Sequence, residues 1–270
     1  AGDGIGISNT PLKCAKEINS FLCGEYNEEI SALFSCGGGE LMCEILDDVD
    51  FDKIKKSKPV WFLGYSDNTN LTFLLPTICD ITAIYSPCAP AYGMEPWHPS
   101  LKDTFELLTG KSNMAHGYDK WEKESLKNEE NPLVPYNVME KTEIKKFGAG
   151  KDDAKTEISG RLIGGCLDCL SNLAGTKFDK VSDFNEKYKE DGIIWFMESC
   201  DLNPMAIRRA IWQLDHAGWF KYVKGFLIGR PLCLDEEILG VDRYNAVYPL
   251  LEKYNVPIIM DLDIGHTAPM

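Results

Sequence analysis

The chain has 270 residues, 44% of them hydrophobic and 26% charged, and it carries a formal net charge of -14 at pH 7. These are ordinary values for a globular protein with one large or two small domains. The negative charge argues against a nucleic acid polymer as a partner, because phosphate binding needs a basic patch. No apolar run approaches the roughly 20 residues that span a bilayer, and no signal peptide is visible, so we predict no membrane association.

Strand and helix patterns alternate through residues 1–110. Apolar runs predict short strands over residues 30–35, 59–63 and 80–85. Helical spacing predicts helices over residues 10–25, 40–46, 51–55, 69–75 and 101–109. Such alternation is typical of a parallel sheet with helices on both faces. We therefore expect an α/β fold that begins with a Rossmann-like domain over residues 1–110.

The first predicted strand ends in the turn Cys36-Gly37-Gly38-Gly39. Successive glycines allow the backbone to approach a ligand closely. A phosphate-binding loop is one alternative, but the lysine and the Ser/Thr of that motif are absent. A turn that donates one N–H group to an oxyanion fits the pattern at least as well.

The second predicted strand leads into Gly64-Tyr65-Ser66-Asp67-Asn68. A serine between a buried strand and a helix start exposes its hydroxyl beside unpaired backbone N–H groups, which can hold an oxyanion. The pentapeptide is similar to the nucleophile elbow G-x-S-x-G, except that Asn68 replaces the second glycine. The alternative is that Ser66 only caps the following helix.

Residues 111–156 are polar and include a cluster of charges over residues 120–130. One interpretation is a solvated interdomain linker. Long loops inside compact proteins also serve as lids or binding loops. Trp121 stands among these charges, and a tryptophan in a polar loop tends to stack on something because its exposure is costly. We predict that this segment is a linker and substrate-binding loop.

Residues 157–270 are predicted to form a second α/β domain. Strands are predicted over residues 157–162, 193–197, 223–228 and 256–261. The helices between them run up to Leu173, begin at Pro204 after Asn203, and cover residues 244–254.

Ser66, Glu198 and His266 each lie just past the C-terminal end of a predicted strand. Active groups of α/β proteins collect at that edge of the sheet. A serine hydroxyl needs a base, and a histidine base needs a carboxylate that fixes its tautomer. Each residue alone has a structural explanation, but their joint arrangement predicts a serine hydrolase.

The chain contains ten cysteines, several of them inside apolar stretches: Cys36, Cys79, Cys166 and Cys169. We predict reduced, buried thiols in a cytoplasmic protein. The C-x-x-C formed by Cys166 and Cys169 leaves redox or metal chemistry open as an alternative. No second pair of cysteines or histidines is spaced to complete a zinc site, so packing is favoured and we predict no metal and no organic cofactor.

The sequence resembles the LD-carboxypeptidase family of serine peptidases and, within it, the microcin C immunity branch. Five motifs carry this resemblance over nearly the whole chain: Gly37-Gly38, Gly64-Tyr65-Ser66-Asp67, Gly164-Gly165, Phe196-Met197-Glu198 and Gly265-His266-Thr267. The resemblance implies a triad of Ser66, Glu198 and His266, and an oxyanion hole formed by the backbone amides of Gly38 and Asp67.

The same resemblance implies a two-domain chain whose C-terminal α/β domain supplies Glu198 and His266. Members of the family usually have a strand and a helix before the position of Ala1, so we expect the N-terminal domain to lack its first elements. Two residues depart from the family pattern, because Cys166 stands where asparagine is common and Ser199 where aspartate is common.

Two substrate classes follow from the resemblance. In the immunity branch a loop tryptophan stacks on the nucleotide base of the substrate, and residues 121–126 look like that loop. We therefore predict hydrolysis of an amide in a peptidyl- or aminoacyl-nucleotide by a homodimer, with Trp121, Gly37 and Gly165 contacting the substrate. Cleavage of the L,D bond of a peptidoglycan tetrapeptide is the first alternative. A non-catalytic binding protein on the same fold is the second.

Overall fold

The computed structural model describes residues 10–270. Its α-helices are α1 (Pro11–Leu22), α2 (Phe51–Ile54), α3 (Thr69–Thr72), α4 (Pro99–Leu108), α5 (Leu167–Leu173), α6 (Val181–Lys187), α7 (Pro204–His216) and α8 (Tyr248–Leu251). Its strands are β1 (Ala32–Phe34), β2 (Trp61–Gly64), β3 (Ile84–Tyr85), β4 (Lys120–Trp121), β5 (Glu140–Lys141), β6 (Lys145–Gly148), β7 (Arg161–Cys166), β8 (Ile193–Glu198), β9 (Val223–Gly229) and β10 (Pro257–Leu262). No described helix is both long and apolar enough to cross a membrane.

The N-terminal part forms a three-stranded parallel sheet in the order β1-β2-β3. This arrangement confirms the predicted parallel α/β architecture. The third strand is shorter than the predicted 80–85, because a π-helical turn runs through Cys79 and Asp80 follows it in a left-handed conformation, with φ 62°. Of the predicted residues 80–85, Ile84 and Tyr85 are the two that pair with β2. This pairing places Tyr85 beside Gly64.

The C-terminal part forms a five-stranded sheet in the order β6-β10-β9-β8-β7. Strands β7 to β10 are parallel, and β6 pairs antiparallel with β10. Residues 145–148, which the sequence suggested to be linker, are thus an edge strand of this sheet. The lysines Lys145 and Lys146 make the segment read as polar, and charged residues of this kind are common on exposed sheet edges. Phe147 anchors the strand by stacking on Tyr248, with ring centroids 4.9 Å apart.

Aromatic side chains join the two sheets into one continuous core. Phe73, at the end of α3, stacks on Trp219 of the C-terminal part with ring centroids 5.1 Å apart. Trp219 stacks in turn on Trp195 of β8 at 5.6 Å. All three side chains are at most 1% exposed. Rings of this size dominate core energetics, so this stack fixes the half that carries Ser66 against the half that carries Glu198 and His266.

The second glycine pair lies where the two halves meet. A Cβ at Gly164 would lie 1.7 Å from the carbonyl oxygen of Phe196, and a Cβ at Gly165 would lie 2.5 Å from Cγ2 of Thr69. The adjacent Cys166 N–H donates to Thr69 Oγ1 at 3.0 Å. Gly165, predicted as a substrate contact, is therefore buried against Thr69, and the glycine is required by the close packing of α3 on β7.

The ten cysteines are all free thiols. Cys79, Cys166 and Cys169 are buried as predicted, whereas Cys36 is exposed. The prediction for Cys36 was wrong because the apolar run before it ends in an open glycine turn. Asn203 caps α7 as its position before Pro204 predicted, with its Oδ1 accepting the Ala206 N–H at 2.9 Å.

Candidate active site

Ser66 lies at the sharp turn after β2, and its φ angle is 65°. A non-glycine residue in this left-handed region is strained, and such strain collects at functional sites. An N-cap residue has an extended backbone and a side chain that accepts a helix N–H group. Here Tyr65 occupies the cap position, and no side-chain capping bond is formed. The capping interpretation of Ser66 is therefore wrong, and the turn has the strained serine of a nucleophile elbow.

Two side chains of the same turn bind the glycine turn and the residue Met42 that follows it. Asn68 Nδ2 donates to the carbonyl oxygen of Gly37 at 2.8 Å and to that of Tyr65 at 2.9 Å. Asp67 Oδ2 accepts the Met42 N–H at 2.9 Å. A Cβ at Gly64 would lie 2.7 Å from Asn68 Cγ, so glycine is needed there. Asn68, the departure from the hydrolase consensus, thus ties the nucleophile turn to the glycine turn.

Gly38 lies directly beside the serine hydroxyl. A Cβ at this position would be 3.0 Å from Ser66 Oγ and 3.9 Å from the Asp67 nitrogen. Within residues 10–270, neither the Gly38 nor the Asp67 N–H group donates a hydrogen bond to a protein acceptor. Amides without a partner among the described residues, placed beside a serine hydroxyl, are an arrangement that can hold an oxyanion. Gly37, the other predicted contact in this turn, is exposed.

Glu198 and His266 form a buried pair at the C-terminal ends of β8 and β10. His266 Nδ1 lies 2.7 Å from Glu198 Oε2, and the Glu198 side chain is fully buried. Gly265, with φ 98°, passes so close that a Cβ there would lie 2.2 Å from Glu198 Oε2. Only glycine fits at this point, which explains the Gly265-His266 dipeptide of the sequence.

Tyr85 connects the serine turn to the carboxylate, and sequence reasoning missed it. Its hydroxyl donates to Glu198 Oε1 at 2.5 Å and accepts the Ser66 N–H at 3.1 Å. Burial first, and the charge of Glu198 second, raise the pKa of Tyr85 well above its ordinary value, so the phenol stays protonated and can donate. The feature of the sequence that indicates a role for Tyr85 is its position at the C-terminal end of β3, the same sheet edge that carries Ser66.

The environment of His266 favours the protonated ring. Burial lowers its pKa, but the hydrogen bond and charge of Glu198 outweigh burial, and the pKa of His266 is raised above 6.5. The ring contacts Tyr65, with centroids 5.0 Å apart. Between the described side chains of Ser66 and His266, however, no hydrogen bond is formed. Catalytic hydrogen bonds are often long without ligand and tighten when substrate binds.

The Trp121 segment is attached next to the histidine. Strand β4 pairs with β5, and the Glu122 N–H donates to the Ala268 carbonyl at 2.6 Å. The guanidinium of Arg230 lies 5.0 Å from the centroid of the half-buried Trp121 ring. Arg230 is itself 2% exposed and donates to Thr267 Oγ1 at 3.2 Å. This anchoring contradicts a freely solvated linker, because it holds Trp121 against the residues that follow His266.

Comparisons with known proteins agree with this architecture. A model of the LD-carboxypeptidase N-terminal domain matches residues 3–86, and a model of the LD-carboxypeptidase C-terminal domain matches residues 159–270. The microcin C7 self-immunity protein MccF of Escherichia coli is 27% identical over 274 residues, which cover 97% of this chain and 73% of MccF. A Bacillus subtilis (strain 168) protein named probable murein peptide carboxypeptidase is 23% identical over 287 residues, which cover 98% of this chain and 76% of that protein.

Solved structures of MccF share the fold. Its complex with aspartyl sulfamoyl adenosine gives a TM-score of 0.78 at 24% identity, over 100% of this chain and 77% of that chain. A tryptophan-to-phenylalanine mutant of MccF in complex with adenosine monophosphate gives a TM-score of 0.76 at 25% identity, over 97% of this chain and 75% of that chain. These relationships define a serine peptidase. The chain belongs to the LD-carboxypeptidase family and resembles its MccF branch, as its motifs predicted.

The Glu198–His266 pair generates a prediction about protonation. The His266 imidazole should titrate above 6.5 in the wild type, and Glu198→Gln should lower that pKa, because burial is then opposed only by the weaker charges of Asp168 and Asp201. Imidazole NMR shifts followed against pH measure both values, and a His266→Asn spectrum identifies the signal among the four histidines. Glu186→Gln, which changes an exposed carboxylate, is the matched control. A His266 pKa that is equal in wild type and Glu198→Gln would contradict the pairing.

Proposed function

We propose that Ser66, Glu198 and His266 act as a catalytic triad that hydrolyses an amide bond. The single observation that carries this proposal is the strained Ser66 turn, whose backbone N–H is linked through Tyr85 to the Glu198–His266 pair. In this scheme the Ser66 hydroxyl attacks the carbonyl carbon, and His266 takes its proton and later gives it to the leaving nitrogen. Water then hydrolyses the acyl-enzyme by the same route in reverse.

The remaining groups of the site have defined tasks in this scheme. Glu198 fixes the tautomer of His266 through Nδ1, which leaves Nε2 free to act on the serine, and it stabilises the imidazolium that forms. The amides of Gly38 and Asp67 hold the oxyanion. Tyr85 is a positioning residue, since it occupies the second oxygen of Glu198 and the nitrogen of Ser66. Rotation of the Ser66 side chain and substrate binding complete the Ser66–His266 contact.

The proposed substrate is an amide that joins an amino acid or peptide to a nucleotide, as in an immunity or detoxification reaction. Its support is Trp121, which is anchored beside the segment after His266 and has one ring face on Arg230. Stacking of a base on such a ring contributes about 1–3 kcal/mol. The relative MccF is named a microcin C7 self-immunity protein, and its structures hold aspartyl sulfamoyl adenosine and glutamyl sulfamoyl guanosine.

A second candidate function is LD-carboxypeptidase action on peptidoglycan tetrapeptides in cell-wall recycling. The family match and the relative named murein peptide carboxypeptidase favour it. A tetrapeptide offers no base for Trp121, so this candidate leaves the anchored indole without a role. The homodimer and the cytoplasmic location stay predictions that accompany either candidate.

The triad is tested by turnover. Ser66→Ala should remove nearly all amide hydrolysis, because the variant lacks the hydroxyl that attacks the carbonyl carbon in this scheme. Glu198→Gln should cost less than loss of the nucleophile and still orders of magnitude, because the imidazolium loses its charged partner. Initial rates on an aminoacyl sulfamoyl adenosine, with thermal unfolding as the check on folding, measure both effects. Equal rates in wild type and Ser66→Ala would assign the chemistry elsewhere.

Substitution of Trp121 distinguishes between the two proposed substrate classes. Trp121→Ala should lower kcat/KM on the aminoacyl sulfamoyl adenosine about ten- to a hundred-fold, through loss of ~1–3 kcal/mol of stacking. The same change should leave hydrolysis of an L,D-tetrapeptide unaltered. Trp212→Ala is the control, since Trp212 is 53% exposed on α7 and stacks on His216. A loss confined to the tetrapeptide, or none on either substrate, would favour the cell-wall reaction.

A further inference from the structure

A small cavity of about 70 Å³ opens beside Ser66 on the side of the glycine turn. Its lining contains thiols and carboxylates and no cationic side chain. The thiols are those of Cys43, Cys166, Cys169 and Cys200, and the carboxylates are those of Glu40, Asp67, Asp168 and Asp201. Such a lining in a chain of net charge -14 concentrates cations, because low-dielectric walls of one sign focus the field.

Cys166 brings one of these thiols to the Glu198–His266 pair. Cys166 and Glu198 are register partners at the ends of β7 and β8. Ligand atoms of Cys166, Glu198 and His266 all lie within 4.8 Å of one another. Cys166 and Glu198 are 1% and 2% exposed, and the His266 side chain is 11% exposed. A thiolate, a carboxylate and an imidazole are the three ligand types that Zn²⁺ takes in proteins.

The separations suit a tetrahedral ion after a small movement. Zn–S, Zn–N and Zn–O bonds of roughly 2.0–2.3 Å place tetrahedral ligand atoms about 3.3–3.8 Å apart. A set spread over at most 4.8 Å therefore contracts by about 1.5 Å or less, and the His266 Nδ1 and Glu198 Oε2 atoms, 2.7 Å apart, separate by about 0.6 Å. Side-chain rotation supplies both movements. The sequence could not show this site, because the C-x-x-C lacks a second pair along the chain and its partners come from β8 and the segment after β10.

We propose that Cys166, Glu198 and His266 bind one Zn²⁺ or a similar thiophilic divalent cation, with water as the fourth ligand. Binding converts the Cys166 thiol to the thiolate, and the proton passes to solvent. Asp168, whose Oδ2 accepts from Cys166 Sγ at 3.2 Å, is the first acceptor on that path. The ion also replaces the 2.7 Å contact between His266 Nδ1 and Glu198 Oε2.

This site has a consequence for the peptidase. A metal-bound imidazole cannot take the Ser66 proton, so the ion turns hydrolysis off until a stronger chelator removes it. The inhibition rests on the proposed triad, whereas the binding itself does not.

Asp168, the acceptor of the Cys166 proton, is held in position by two backbone N–H groups. Those of Cys200 and Asp201 donate to its carboxylate oxygens at 3.1 Å and 2.9 Å.

Binding is measured first, on the reduced, metal-free full chain carrying Ser66→Ala, so that the result is independent of turnover. Titration with Co²⁺ should give a thiolate charge-transfer band that saturates at one ion per chain. Zn²⁺ should bleach that band and compete with a chromophoric chelator. Cys166→Ser in the same background should abolish the band and weaken Zn²⁺ binding at least about tenfold. His266→Gln should weaken binding similarly while the thiolate band remains, which tests the site even where Cys166→Ser folds poorly.

Inhibition is measured second, as the ratio of rates with and without Zn²⁺ for each variant against its own metal-free rate. Wild type should lose activity as the site fills, and Cys166→Ser should need at least about tenfold more Zn²⁺. Two control variants should match wild type: Cys14→Ser on α1, and Cys200→Ser in the same cavity but outside the ligand set. Absence of the Co²⁺ band, or equal losses in Cys200→Ser and Cys166→Ser, would overturn the proposal. An active chain without Zn²⁺ sensitivity refutes the metal site alone, and a metal-binding chain without activity refutes the hydrolase alone.

Discussion

The buried carboxylate of Glu198 is the point on which the arrangement of the site depends. A buried charge is costly unless hydrogen bonds and an opposite charge compensate it. Glu198 receives one hydrogen bond from Tyr85 of the N-terminal sheet and one contact from His266 of the C-terminal part. The two halves of the chain are therefore joined at Glu198, the carboxylate that hydrogen-bonds to His266. Gly265 is a glycine because its backbone passes over this carboxylate, and a Cβ at Gly229 would lie 2.0 Å from the Ile264 carbonyl oxygen and 2.9 Å from Glu198 Cβ.

The strain at Ser66 is maintained by the same surroundings. Backbone in the left-handed region costs about 1–3 kcal/mol and persists only where neighbouring contacts over-determine it. Here the Ser66 N–H is held by Tyr85, Asn68 binds the glycine turn that lies over the hydroxyl, and Asp67 binds Met42 just beyond that turn. Phe73, which ends the helix that follows this turn, stacks with Trp219 and through it with Trp195 of the C-terminal part. The strained Ser66 backbone is thus held by contacts from both halves of the chain.

Sequence patterns predicted the parallel sheets and the strand ends of Ser66, Glu198 and His266, because apolar runs and their polar successors are local features. Contacts between segments that are far apart along the chain have no such local pattern in the sequence. Tyr85 has the sequence pattern of an ordinary strand residue, and only the pairing of β3 with β2 brings it to Ser66. Residues 145–148 have the polar pattern of a linker, because edge strands commonly carry lysines. Cys166 looked like a packing residue, since its register partner Glu198 lies 32 positions away along the chain.

Chemical labelling locates the nucleophile most directly. The metal-free chain would be treated with a fluorophosphonate, and the adduct mapped by intact-mass and peptide mass spectrometry. We expect one adduct per chain, on Ser66, and its disappearance in His266→Asn, because an unassisted serine hydroxyl is a weak nucleophile. An adduct on another residue, or a folded metal-free chain that takes no label at Ser66, would show that Ser66 is not the activated nucleophile.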